Sequence, residues 1–501
     1  MNRFWAKIHL KVVAVVATLL CLALPRTAVG HPITGVTVYE PEELASWAKE
    51  HTYPDASADA AAAAIEALYH QDGYLAAEVI PITDSDGNTV ILVYEGTLGA
   101  VYLDGGEAKA QAMVSRYIEP LADGMPLRID RLERQMLLAG DQGGIDVTVA
   151  LEHPERASGS VLNVSISQVR QRGSLFFDIV PQRPGSVGRL AVEQSGYSLL
   201  TGGDQLSALG VLTREVGGDI GFAGRALYRL PIGGRGVFAD IFAGTALADR
   251  KIDTLQITNE QRGHQFGASI GLPIVRSMDR SIFIVGEIET TEGKSSFGCL
   301  RTQSGADVVR GYLIGTHAFV GGAQAEGSVR ISAGKRKQPE PGVVSDGSRN
   351  FSSIRVEAGI VSPIVRDLFL RLETEGQIAL ADLPEVEHFF LGHLPLVRGY
   401  AQSEAEADTG AAATMQIERP ISLSADTTVT GFVFTDFGFV RRRGGSPLFV
   451  RDQNIASIGA GMTAAGSSGV SLTAWVGLPL ADAGKTDAGD PILYFSLAQR
   501  W

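Results

Sequence analysis

From about residue 172 to the C-terminus, apolar and polar positions alternate with a period of two, broken by clusters of Gly, Asp, Asn and Ser. In "DLFLRLETEGQIAL", Leu368, Leu370, Leu372, Ile378 and Leu380 share one face, while Arg371, Glu373, Glu375 and Gln377 share the other. In "DIGFAGRALYRL", Ile220, Phe222, Ala226, Tyr228 and Leu230 oppose Asp219, Arg225 and Arg229. The last strand, "PILYFSLAQRW", aligns Leu493, Phe495, Leu497 and Trp501. Sixteen candidate strands can be counted over residues 172–501. The inner faces of a soluble sandwich interdigitate as an apolar core, so a charged face is foreign to that fold. It suits a transmembrane β-barrel with lipid outside and water inside. Closure is then required, because lipid cannot satisfy a free strand edge.

Residues 31–168 mix two periods. "ITGVTVY" (33–39) reads as a strand, "PEELASWAKE" as a helix entered through Pro41 and two acidic residues, and "ASADAAAAAIEALYHQDGY" as a helix stopped at Gly73. "AAEVIPI" and "TVILVYEG" follow as strands joined at Asp86-Gly87-Asn88. The order β-α-α-β-β then recurs in "GAVYLDGG", "AKAQAMVSRYIEPL", "RIDRLERQMLLAG", "IDVTVALE" and "SVLNVSISQ". Two copies of one small α/β unit are expected, at 31–96 and 97–168, ahead of a barrel at 172–501.

The N-terminus changes the setting. Arg3, Lys7 and Lys11 precede an apolar run from Val12 to Leu24, with small residues Ala28-Val29-Gly30 after it. This predicts a cleaved signal peptide over residues 1–30 and an exported chain. Cleavage removes four basic and no acidic side chains, taking the formal charge from −13 to −17. Phosphate binding needs a basic footprint, so nucleic acid is a poor partner. Only Cys299 would remain, which excludes an intramolecular disulfide.

The tetrapeptide Val-Arg-Gly-Tyr occurs twice, at 309–312 and 397–400. The first copy runs into an alternating strand; Arg310 is read there as a strand-start residue reaching water or headgroups, with no special role. The second copy lies in a segment without evident structure of its own, roughly 381–409, and five strands follow it. A connection of that length is commonly functional, and inside a wide barrel it can fold inward. In "TTVTGFVFTDFGFV", alternation places Val429, Val433, Thr435, Phe437 and Phe439 toward lipid and turns Phe434, Asp436 and Gly438 inward. Asp436 is costly there unless paired, Gly438 leaves room for a neighbouring segment, and a guanidinium can meet a carboxylate as a fork. Arg398 is therefore expected to lock the inward loop to Asp436.

With these motifs in place the chain resembles the TpsB transporters of two-partner secretion, the FhaC, ShlB and HecB group within the BamA-type barrel superfamily. The resemblance rests on Val397-Arg398-Gly399-Tyr400, the approach "EVEHFFLGHLPL", the strand motif Phe434-Thr435-Asp436-Phe437-Gly438 and the aromatic end at Trp501. It rests also on POTRA-like "DGYLAAEVIP…VYEG", with Gly73, Tyr74, Glu95 and Gly96, and on "LRIDRLERQMLL", with Leu132 and Glu133. His393 departs from the family's second Gly. The chain also leaves no room after the signal for the plug helix of some members. The resemblance implies two periplasmic POTRA domains, 31–96 and 97–168, and a monomeric 16-stranded outer-membrane barrel. It implies ATP-independent export of an unfolded partner exoprotein, a TpsA-like haemolysin or adhesin captured by the POTRA domains.

Two other functions share parts of this pattern. A passive porin would have the barrel but gain nothing from two added modules, and a BamA-like assembly factor usually has more of them. Catalysis has one foothold, Gly267-Ala268-Ser269-Ile270-Gly271, which fits G-x-S-x-G; a nucleophile elbow needs a turn and then a helix, and Pro273 opposes that helix. His388 and His393 lack helical pair spacing and a third ligand. Asp86-Gly87-Asn88 is too short for a calcium loop. Neither enzymatic activity nor a metal or cofactor is expected.

Overall fold

The computed structural model describes residues 31–501 apart from 54–55, 153–158, 181–185, 216–219, 253–256, 298–299, 338–348, 393–395 and 442–451. The signal-peptide expectation, Asp219, Cys299 and His393 lie outside the described residues.

The first unit comprises β1 (Ile33–Thr34), α1 (Pro41–His51), α2 (Ala58–Gln71), β2 (Glu78–Thr83) and β3 (Thr89–Tyr94). The second comprises β4 (Leu98–Gly105), α3 (Ala108–Ile118), α4 (Ile129–Gly140), β5 (Ile145–Glu152) and β6 (Ser160–Gln168). Both sheets have the same plan: the first strand pairs parallel to the last, and the middle strand pairs antiparallel to the last. Each encloses its own core, around Leu44, Ile65 and Tyr69 in one and Tyr117, Leu132 and Met136 in the other.

The strand expected at 33–39 is cut to two residues. Gly35 takes φ +84°, and beyond it the N–H groups of Thr37 and Val38 donate to the Glu95 carboxylate at 2.7 and 2.8 Å instead of to a neighbouring strand.

The remaining chain forms a closed antiparallel barrel of sixteen strands. They are β7 (Gln171–Val180), β8 (Val187–Tyr197), β9 (Gln205–Glu215), β10 (Ile220–Ile232), β11 (Val237–Ile252), β12 (Ile257–Arg276), β13 (Arg280–Phe297), β14 (Leu300–Ala318), β15 (Gln324–Arg336), β16 (Asn350–Val365) and β17 (Leu368–Ala379). Two short strands, β18 (Phe389–Leu391) and β19 (Ala405–Ala407), pair with each other outside the ring. The ring resumes with β20 (Thr409–Ser422), β21 (Thr427–Arg441), β22 (Gln453–Gly466), β23 (Val470–Pro479) and β24 (Ile492–Arg500), which closes on β7.

The surface is inverted relative to a soluble protein. Ile241, Phe266, Ile288, Val309 and Phe437 are exposed on the outside, whereas Asp178, Asp240, Gln377 and Asp436 are buried within. No described helix is long and apolar enough to cross a membrane, which says nothing against crossing by strands. Pro273 and Pro363 are accommodated at register shifts in β12 and β16, where a missing N–H breaks no regular ladder. Gly267–Gly271 lies inside β12, paired on both sides, so the strand–turn–helix of a nucleophile elbow is not formed there.

The second unit docks on the barrel end that carries the short turns. Arg276, beside the β12–β13 turn, donates to both Asp141 oxygens at 2.7 and 2.8 Å. Arg134 of α4 donates to the Pro273 carbonyl, and Glu133 accepts the Met278 N–H.

Candidate functional site: the inward-folded loop

The connection between β17 and β20 leaves from the end opposite the two units and enters the barrel. It is not structureless, as the sequence had suggested. A 3₁₀ turn at Glu385–Glu387 and the β18–β19 hairpin give it internal hydrogen bonds. Phe389, Leu391, Leu396, Val397 and Tyr400 pack as an apolar cluster against Val440 and Ile455 of the wall. Alternation could not reveal this, because the pairing segments are only three residues long and lie fourteen positions apart.

At the loop's tip Arg398 meets Asp436 of β21. The Arg398 backbone N–H and Nε donate to Asp436 Oδ2 at 2.7 and 3.0 Å, and Nη2 donates to Oδ1 at 2.9 Å. Asp436 has no solvent exposure and Arg398 only 7 %. A carboxylate taken from water is tolerated when its lone pairs are filled by a positive group, as here. Arg398 Nη1 donates to Gln416 Oε1 at 2.7 Å, its carbonyl accepts from Ser457 Oγ, and its guanidinium lies 3.6 Å from the Phe434 ring centroid. Gln416 and Ser457 carry no motif. Their registers, opposite Phe434 and Asp436 on the adjacent strands, are what bring them to the site.

The other motif residues shape the contact. Gly399 has φ +88°, and a Cβ there would come within 3.2 Å of the Gly477 backbone. A Cβ on Gly438 would stand 2.6 Å from Leu391 and 2.9 Å from Val397. Val397 itself sits at φ +54°, an unusual conformation for a β-branched residue, held by its burial. The Tyr400 hydroxyl lies between the carbonyls of Ala456 and Ala481, at 2.8 and 3.0 Å. The β23–β24 connection covers the tip: Thr486 Oγ1 donates to Glu404 and accepts the Ala401 N–H.

The N-terminal limb of the loop rests on a different part of the wall. Gln377 Nε2 donates to the carbonyls of Glu387 and Asp408 at 2.8 and 3.0 Å, and Arg336 donates to the Leu383 carbonyl at 2.9 Å. His388 Nε2 lies 3.2 Å from the Leu383 carbonyl oxygen within the loop.

The reading of Arg310 is corrected. It stands mid-strand in β14, points into the lumen and is 8 % exposed. Its Nη1 donates to Glu287 at 2.8 Å and to Glu289 at 3.1 Å, and its Nη2 donates to Glu387 of the loop. The sequence obscured this because the strand begins nine residues before the motif, and Glu387 is distant in sequence.

The remaining motif residues lie in the two units, away from the loop. Gly73 caps α2 at φ +90°, and its carbonyl accepts the Ile129 N–H across the two units. Arg128 lies over the Tyr74 ring. Glu95 is buried and accepts from Tyr69, Thr37 and Val38. Burial alone would raise its carboxyl pKa, but these hydrogen bonds outweigh it and hold it below the usual carboxylate range. Gly96, at φ +72°, accepts from the Leu127 N–H. Leu132 is buried in the second core.

A closed ring with an apolar exterior, a charged interior and a loop folded inward defines an outer-membrane β-barrel whose lumen is occupied by its own chain. Residues 301–464, from β14 to β22 and including the whole loop, match the family described as haemolysin secretion/activation protein ShlB/FhaC/HecB. The match spans about a third of the chain, and over these strands and the loop the chain is similar to that family. Its fold is similar to that of CdiB from Escherichia coli, at TM-score 0.77 and 18 % identity over 99 % of this chain and 94 % of the other. CdiB from Acinetobacter baumannii gives 0.71 and 14 %, over 98 % and 93 %. BamA from Haemophilus ducreyi lacking POTRA domains 1–3 gives 0.52 and 14 %, over 95 % and 100 %. No curated protein sequence matches the chain.

Proposed function

We propose that this protein exports an unfolded partner exoprotein, a TpsA-like haemolysin or adhesin, through its barrel and without ATP. Residues 31–96 and 97–168 act as periplasmic POTRA domains, whose open strand edges can take an extended cargo segment by β-augmentation. The loop occupies the lumen at rest, and Arg398–Asp436 sets its position, so the resting and conducting states differ in whether that pair is made. The observation that carries this reading is the buried fork between Arg398 and Asp436.

Removing one partner of a buried ion pair costs roughly 3–5 kcal/mol, because the other charge is left uncompensated. Arg398→Ala and Asp436→Ala should therefore still give inserted barrels, seen as a heat-dependent shift on gels, with secretion strongly impaired. Normal secretion by both variants removes the lock from the mechanism. A deletion strain tests the cargo class: loss of a secreted protein supports export, whereas loss of membrane-embedded barrels points to an assembly role.

A further inference from the structure

Both copies of Val-Arg-Gly-Tyr place their arginine against the same loop. Arg398 belongs to the loop and reaches the wall, whereas Arg310 belongs to the wall and reaches the loop through Glu387. The two contacts are made on β21 and β14, five strand steps apart around the ring. They also hold different parts of the loop, the tip and the N-terminal limb.

We infer that Arg310 is a second positioning residue of the loop: it clasps the limb by neutralising Glu387 between two wall carboxylates, so that release of the limb and release of the tip are separate events. This inference rests on the loop reading above for its meaning in export, but the contact itself can be tested without cargo.

The charges around Arg310 give the clasp a distinctive character. Glu287 and Glu289 project from β13 beside it, and Glu387 approaches from the loop, so three carboxylates share one guanidinium. Arg310 and Glu387 are both almost fully buried, which limits screening by water. Tyr312 of the same motif donates to Glu287 and fixes that carboxylate on the wall. The neighbouring cation Arg355 makes its hydrogen bonds and ion pair elsewhere, to Gln377, Glu375 and the His388 carbonyl, and reaches Glu387 only through its longer-range field.

With Arg310 present, the limb is drawn to the wall. Without it, Glu387 faces Glu287 and Glu289 with no guanidinium bonded to it and only the longer-range field of Arg355, and like charges in a poorly solvated site repel. Loss of Glu387 alone is milder, because Arg310 keeps its two wall partners. If Arg310 served the wall only, its replacement would not depend on what stands at 387.

The test is a distance measurement between spin labels in the full-length, membrane-inserted chain with Cys299→Ser. Val386→Cys reports the limb, Ser403→Cys reports the tip, and each is paired with Val320→Cys in the exposed β14–β15 turn. Arg310→Gln should shift the limb distribution to longer and broader distances while the tip distribution stays put. Glu387→Gln should give a smaller shift. In the double variant the two effects should be non-additive, since Arg310→Gln loses its repulsive consequence once Glu387 is neutral. A wild-type limb distribution in Arg310→Gln, or strictly additive effects, overturns the inference. Should Arg310→Gln fail to insert, Glu387→Gln decides alone, and an unshifted limb there overturns it. None of these readouts involves secretion, so failure of the export reading would show elsewhere, in cargo assays.

Discussion

Single residues at the tip act mainly through the space they leave. Gly399 is required by conformation as well as by contact: any side chain at φ +88° is strained, and its Cβ would press on Gly477. The left-handed conformation alone costs about 1–2 kcal/mol for a residue with a Cβ. Gly399→Ala should keep an inserted barrel but destabilise the seated tip, raising the frequency of open events in planar-bilayer recordings. Gly438→Val should have the larger effect, because it collides with Leu391 and Val397, whose apolar contacts seat the loop. An unchanged conductance trace in both variants would exclude close packing at the tip as a determinant of loop position. These glycines were legible from the motifs. Val397 at positive φ was not, since nothing in its side chain announces a conformation imposed by the segments around it.

Among elements, the first unit depends on a carboxylate doing the work of a strand. Glu95 takes N–H groups that the shortened β1 leaves without a ladder. A fully buried donor left unmet costs roughly 1–3 kcal/mol, and these part-buried ones cost less. Glu95→Ala should therefore speed hydrogen exchange at Thr37 and Val38, with the second unit unaffected. Because the folded carboxyl pKa is lowered, its stabilisation is full above the unfolded value and is lost as pH falls through the folded one. Protection of the same amides should decline on acidification in the wild type and show little of that decline in Glu95→Gln. The alternating pattern of "ITGVTVY" predicted a longer strand, because periodicity records which residues could pair and not which acceptor reaches their N–H groups first. The loop hairpin escaped for a related reason: three-residue strands have no period to read.

On the scale of the whole molecule, the two units and the barrel are joined by specific polar contacts at the rim. Asp141 and Arg276 form a two-pronged pair with side chains only 14 % and 10 % exposed, and Arg134 and Glu133 add contacts to the neighbouring turn. Asp141→Ala should widen the distance distribution between labels on the second unit and the barrel rim without changing the heat-shift of the barrel itself. A narrow distribution retained in that variant would mean the docking is carried by the remaining contacts. If the units guide cargo toward the lumen, secretion should fall in proportion to the lost alignment.

The sequence by itself determined the barrel, its strand count and the inward direction of Asp436, because period-two alternation between lipid and water leaves each strand one permissible facing. It also determined the pairing of Arg398 with Asp436, since a lone carboxylate on an apolar strand calls for a cation. Only the tertiary structure decided what Arg310 does. Its partners lie on a neighbouring strand and on a loop that returns through the barrel, and closing the ring is what brings those three carboxylates to one guanidinium. A motif in one strand cannot specify what will be folded against its inner face.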